Sequence, residues 1–287
     1  MIAIYKREIR AYFFTPIGFL FMGFFLLISG IFFAAGHLLS GNSYYSGFLG
    51  NLLMVYVFAV PILTMRLFAE EKRQKTDQLL LTSPVSIFEI VCGKFLAAFT
   101  VYAITVIITF LYAVVVSVYG TLMWAETIGS YIGFLFLGAG YIAVGVFVSA
   151  KTENQLTAAL TTFFCLFVIL FIEPISRMVP VDIRSGLISA GILALFIAFF
   201  VFINTRNWVI TLGIIIVCAL VIMGLWFLHR EIYFGFIRKL LGWFSLNRRY
   251  QPFTLGLLKI DALVYYASFS ALFLFLTVRT IEKRRWS

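Results

Sequence analysis

Charge is scarce in this chain. Only 12% of its 287 residues are Asp, Glu, Lys or Arg, while 63% are hydrophobic, and the mean hydropathy is +1.05. A soluble domain carries roughly 25% charged residues, so this chain lacks the polar surface to cover itself in water. Disorder is excluded by the same composition, because it requires low hydrophobicity. Histidine and cysteine are also sparse: there are two His, and Cys92, Cys165 and Cys218 stand alone, without metal-ligand spacing or an even pairing scheme. Free cysteines of this kind read as packing residues. No GxxxxGK[ST] loop is present to cradle a nucleotide phosphate. The short alternating segments of an outer-membrane barrel are missing too. The centres of the apolar runs hold no Asp, Glu, Lys or Arg, where ion-coupled carriers and proton pumps place ionisable groups. They also lack the paired acids or His clusters of membrane-embedded proteases and metalloenzymes. The expectation is a chain without catalytic centre, metal or cofactor of its own, and without a nucleic-acid partner.

What is present is long apolar runs and 34 Phe. A bilayer core takes about 20 apolar residues per helix. Eight runs qualify, at approximately 17–39, 49–68, 95–119, 128–150, 156–172, 187–204, 208–228 and 262–278. The fold class is therefore all-α, a polytopic transmembrane helical bundle of about eight spans over a single domain, 1–287. Thr205, Arg206 and Asn207 alone separate the sixth and seventh runs, which predicts a tight helical hairpin. Nine Lys and Arg residues flank one end of the first four runs (Lys6, Arg7, Arg10, Arg66, Lys72, Arg73, Lys75, Lys94 and Lys151), and the loops 40–48 and 120–127 hold none. Positive residues favour the cytoplasm, so the N-terminus is predicted inside, and with eight spans the C-terminus as well. The basic residues of 229–261 oppose this bias. The first apolar run exceeds the 7–15 residues of a signal-peptide core, which predicts an uncleaved first span.

Four segments carry further information. In residues 1–15, Ile2, Tyr5, Ile9, Tyr12 and Phe13 share one helical face, and Lys6, Arg7 and Arg10 another. That pattern predicts an interfacial elbow helix among the headgroups, with a plain topogenic flank as the alternative. Residues 69–93 follow the second span. They run from polar Glu70–Gln78 into Leu79–Leu81, then Pro84, with Ser86 and Glu89 at capping-box spacing. The pattern predicts two short helices with a bend. As a connection this is oversized, so either something docks there or it is a solvated charged loop. Residues 229–260 hold an amphipathic stretch, Ile232 to Phe244, that suits a helix anchored on the outer leaflet. The fourth span carries Gly129, Gly133, Gly138, Gly140 and Gly145, a small-residue stripe suited to close helix packing. Glu173, just before Pro174, reads as a helix-end or interface residue.

The run RLFAEEKRQKTDQLLLTSPVSIFEIVCGKF at residues 66–95 resembles the hallmark of type-2 ABC exporter permeases. Its acidic-basic run is Glu70, Glu71, Lys72 and Arg73. Thr76 and a Leu-rich stretch then lead to a Ser83-Pro84 turn, and Gly93-Lys94 opens the third span. The opening YKREIRAYFFTPIGF looks like that family's interfacial elbow, and residues 253–286 are similar to its gliding-motility-type branch. The resemblance covers 1–172 and 250–287; the usual six-span permease lacks the extra helical hairpin 186–228. It implies a permease subunit in a bacterial inner membrane that moves substrate by alternating access, most simply export. A second permease chain and ABC ATPase subunits would be its partners, with ATP and Mg held by the ATPase. Membrane lipid and an accessory protein, in or beyond the membrane, complete the expected partners. Residues 69–93 would be the coupling segment, with Glu70, Glu71, Arg73, Thr76, Leu79, Leu80 and Pro84 at the ATPase-docking surface. A second function class is a mechanical transmitter that pulls on an extracytoplasmic partner without carrying substrate. A third, a self-contained channel or carrier, is disfavoured by the charge-free spans.

Overall fold

The computed structural model describes residues 1–41, 45, 47–76, 85–228 and 230–285. It is 85% helical and has no strand among the described residues. Among the described residues, eight helices are long and apolar enough to cross a membrane: Pro16–Leu38, Leu53–Arg73, Ile87–Tyr119, Trp124–Lys151, Gln155–Met178, Ile183–Ile203, Trp208–Leu228 and Ile260–Arg284. The chain is a multi-pass, all-α membrane protein. Its internal contacts group residues 1–170 with 246–287 as one unit, and 171–245 as another.

In the first unit, α1 (Ile2–Phe14) ends at Thr15, whose backbone is extended at φ −113° and ψ 156°. Pro16 explains the break, since proline disfavours helix at the residue before it and suits the first turn of the next helix. Helix α2 (Pro16–Phe33) then continues as one π-helical turn, Ala34–Leu38. Gly18 lies directly under the Tyr12 carbonyl, where any Cβ would overlap it, so the corner requires glycine. Next come α3 (Phe48–Asn51), α4 (Leu53–Thr64) and the short α5 (Ala69–Arg73), then α6 (Ile87–Tyr119), α7 (Trp124–Lys151) and α8 (Gln155–Met178).

The spans Leu53–Arg73, which begins with α4, and Trp124–Lys151, which is α7, are the most buried, with 67% and 72% of their most apolar stretches inside the protein. The glycines of α7 explain how. A Cβ on Gly138 would overlap the Tyr102 ring, one on Gly145 the Thr64 side chain, and one on Gly133 the Phe253 ring. The expected small-residue stripe is thus a packing surface within the unit. Buried tyrosines need a partner for the hydroxyl, and here they partner one another. The Tyr56 and Tyr102 hydroxyls lie 2.6 Å apart, and both reach the Phe134 carbonyl, at 3.0 and 2.7 Å. Tyr45 and Tyr131 pair at 2.9 Å.

Two expectations need correction here. Ser86 and Glu89 do form the capping box, but no separate short helix follows it. With no breaker after Ile87, α6 runs unbroken for 33 residues, about 50 Å at 1.5 Å per residue, well beyond a ~30 Å hydrocarbon core. Glu173 is not at a helix end: α8 passes through Pro174 to Met178, and Glu173 is buried, 3.1 Å from Arg177. The proline costs one hydrogen bond without ending the helix.

The second unit begins at Phe171, within α8, and holds α9 (Ile183–Thr205), α10 (Trp208–Leu228) and α11 (Phe236–Phe244). The expected hairpin of α9 and α10 is present. Arg206 takes the left-handed conformation at φ 47°, and the Asn207 side chain accepts from Val209 N at 2.9 Å to start α10. The amphipathic stretch is not one continuous helix. A 3-10 turn, Arg230–Tyr233, precedes Gly235 at φ +64°, whose N–H donates to the Val181 carbonyl, and α11 itself is only nine residues long. Arg238 donates to the Ser176 and Arg177 carbonyls, at 3.2 and 2.8 Å, closing the open end of α8. Back in the first unit, Arg249 stacks 3.7 Å from the Tyr265 ring. Some of the basic residues that oppose the charge bias are therefore held by structural partners. The chain finishes with α12 (Gln251–Thr254) and α13 (Ile260–Arg285), which packs along α7.

Candidate functional site

Polar chemistry in the first unit concentrates where α1, α5 and the start of α6 meet. Helix α5 is a single helical turn and a half, too short to be stable alone, so its position is set by neighbours. The Ser149 hydroxyl of α7 accepts from Phe68 N at 3.1 Å and Ala69 N at 3.3 Å. It thereby serves two backbone donors at the start of α5 that have no partner within the helix. The same hydroxyl donates to the Met65 carbonyl at 3.2 Å. Lys72 of α5 in turn donates to the Ala150 carbonyl, at the end of α7. Two acids in the first turn and two bases in the last match the helix dipole.

A buried charge cluster joins α5 to its neighbours. Lys94, only 1% exposed, donates to the Leu67 carbonyl at 2.6 Å and lies 3.1 Å from Glu8 Oε1 and 3.0 Å from Glu71 Oε1. Arg7 Nη2 reaches the same two carboxylates, at 2.7 and 2.6 Å. Two cations and two anions alternate, so the cluster is neutral. Burial alone would push the Glu8 carboxyl up; Lys94 and Arg7 overcome this and hold it below the usual carboxylate range. Stability from this pairing is present above the unfolded Glu pKa of about 4.3 and is lost as pH falls through the lowered value. Close by, Arg66 donates to Thr15 Oγ1 at 2.6 Å and sits 5.1 Å from the Tyr12 ring.

Of the anticipated docking residues, Glu70, Glu71, Arg73 and Thr76 fall on or just after α5. Glu70 is partly exposed, 3.8 Å from Arg66. Glu71 turns inward to Arg7 and Lys94, leaving its side chain 18% exposed. Arg73 is exposed, and Thr76 donates to the Glu71 carbonyl at 3.3 Å, following Lys75 in the left-handed conformation at φ 57°. Leu79, Leu80 and Pro84 lie outside the described residues. Among the elbow residues, Lys6 and Arg10 are exposed, while Arg7 reaches into the cluster. On the other flank of α5, a cavity of about 270 Å³ is walled by Phe68, Lys72, Lys151, Glu153, Ile281 and Arg284. There Arg284 of α13 lies 3.4 Å from Glu153.

Glu8, Lys94 and Ser149 are the residues that sequence reading missed. Glu8 is the one acid in a basic helix, and Lys94 abuts an apolar run, so both look like flank residues. Only the fold brings them together across 86 positions.

A family model described as ABC-2 family transporter protein matches residues 39–205, more than half of the chain. The matched stretch contains α3 to α9 and therefore α5 with its Ser149 support. It extends past residue 172, where the motif-level resemblance stops. No curated protein matches the sequence significantly. Members of this family are membrane subunits, generally non-catalytic, that work with an ABC ATPase and a second permease chain. Eight apolar helices among the described residues, and a polar wedge held within the first unit, thus meet a family match across the middle of the sequence: the chain belongs to the ABC-2 family of transporter proteins and is the permease subunit of an ABC transporter.

Proposed function

We propose that this permease exports its substrate by alternating access, driven by ATPase subunits docked on α5 and the residues that follow it. The observation that carries the reading is the mounting of α5: a short wedge whose own hydrogen bonds are too few to hold it, fixed from both sides by Ser149, Lys72 and Lys94. A wedge so held passes a push to α4, α6 and α7 as a rigid body, the kind of motion by which domains switch access. Arg73, Glu70 and Thr76 meet the ATPase first, and Leu79, Leu80 and Pro84 complete the docking surface, the two leucines as its apolar part. Glu71 contributes by fixing the wedge from within. ATP and Mg stay with the ATPase. The charge bias supports a bacterial inner-membrane location with α5 and both termini in the cytoplasm, and with it α1 as an elbow against the inner headgroups. The ending of the chain supports the gliding-motility-type branch, and the hairpin α9–α10 offers an apolar surface to lipid or an accessory protein.

A second reading keeps the ATPase but removes the substrate: the permease relays force to an extracytoplasmic partner. The satisfied tyrosine pairs inside the first unit favour it, because a filled interior transmits strain. The two readings separate in proteoliposomes that hold permease and ATPase. Export predicts that ATP hydrolysis rises with a small-molecule or lipid substrate. Hydrolysis that responds only to an extracytoplasmic protein overturns export in favour of force relay.

A further inference from the structure

The geometry points to Lys94 as a positioning residue that locks α1, α5 and the foot of α6 into one lever, so that the N-terminal helix carries the ATPase stroke rather than only resting among headgroups. This rests on the reading of α5 as the ATPase-docking element.

The Lys94 ammonium engages three different parts of the chain: it donates to Glu8 on α1 and to the Leu67 carbonyl in the turn that leads into α5, and it pairs in charge with Glu71 on α5 at 3.0 Å. Its charge also lies 5.1 Å from the Phe68 ring. Exposed ion pairs hold helices weakly. A buried pair behaves differently, because removing one partner strands an uncompensated charge. Without Lys94, Glu8 and Glu71 would share the single cation Arg7, which is half-exposed, and the cluster would carry a net negative charge. Lys94 is thus the buried member of the joint and the one set on α6.

Helix α1 is also fitted to α6 along its length. A Cβ on Gly93 would press on Ile4, so the backbones approach closely there. About two turns further along α6, the Tyr5 and Thr100 hydroxyls pair at 3.1 Å. Lys94 sits two turns into a 33-residue helix, where displacement of the foot moves the whole span. A simple headgroup anchor needs none of this. Its basic residues would stay exposed, as Lys6 and Arg10 are, whereas Glu8 would have no reason to be buried.

The test uses the permease–ATPase complex in which Cys92, Cys165 and Cys218 are replaced by Ser and one new cysteine is placed at exposed Ala3 on α1 or at exposed Lys75 beside α5. Maleimide labelling rates are compared without nucleotide and after trapping with ATP and vanadate. Both positions are expected to change rate several-fold on trapping. In Lys94→Met, the Lys75→Cys response is expected to persist and the Ala3→Cys response to vanish, with Lys94→Arg restoring it. Should Lys94→Met fail to fold, Glu8→Gln breaks the α1 side of the joint and is expected to behave the same way. An Ala3→Cys response that survives these changes, or one absent from the unmodified joint while Lys75→Cys responds, overturns the role of Lys94. If neither position responds in the unmodified joint, the docking reading itself falls.

Discussion

A chain carrying Leu79→Asp and Leu80→Asp is expected to insert normally and to lose its ATPase. The two leucines end a polar stretch with an apolar knob, and burying a leucine side chain is worth about 1.5–3 kcal/mol. An aspartate in the same pocket adds the cost of a buried, unpaired charge. A loss of roughly 3 kcal/mol or more corresponds to about a hundredfold weaker binding, enough to remove the ATPase from a detergent pull-down. Insertion should be unchanged, because residues 79 and 80 lie outside the eight apolar runs of the sequence. Co-purification at the unmodified level would take the docking role away from this segment.

The second large effect lies in the core. Gly138→Val is expected to destabilise the permease severely, because the space a Cβ would occupy is filled by the Tyr102 ring. Tyr102 cannot move aside cheaply: it is fully buried, and its hydroxyl is engaged by Tyr56 and the Phe134 carbonyl. Overpacking costs about 1–3 kcal/mol, and each buried polar group left unpaired about 1–3 kcal/mol more. The apparent Tm in detergent should fall by on the order of 10 °C, taking a few degrees per kcal/mol. Adding Tyr102→Ala should recover part of the loss by emptying the contested volume. An unchanged Tm for Gly138→Val would mean that α6 and α7 do not meet through this pair.

Much of the architecture was legible because a membrane span is a local signal: about 20 apolar residues declare themselves without reference to the rest of the chain. The hairpin at Thr205–Asn207 and the capping box of Ser86 and Glu89 are local in the same sense. The extent of α6 was misjudged because proline and polar residues mark where a helix begins, while only packing and the lack of a breaker decide how far it runs. Likewise Pro174 suggested an end that α8 passes through. The charge cluster was illegible for a different reason. Glu8 and Lys94 are 86 positions apart, and each alone looks like an ordinary flank charge. Similarly, Ser149 gives no sign in sequence that it starts a helix 80 residues earlier.

A wedge at α5 that faces the cytoplasm and is covered there by an ATPase can be probed at Lys75→Cys, in a chain otherwise free of cysteine, with a membrane-impermeant maleimide. Reaction is expected in inside-out vesicles stripped of ATPase, with protection once the ATPase is added back and no reaction in intact cells. Labelling from outside intact cells would overturn the cytoplasmic placement of α5.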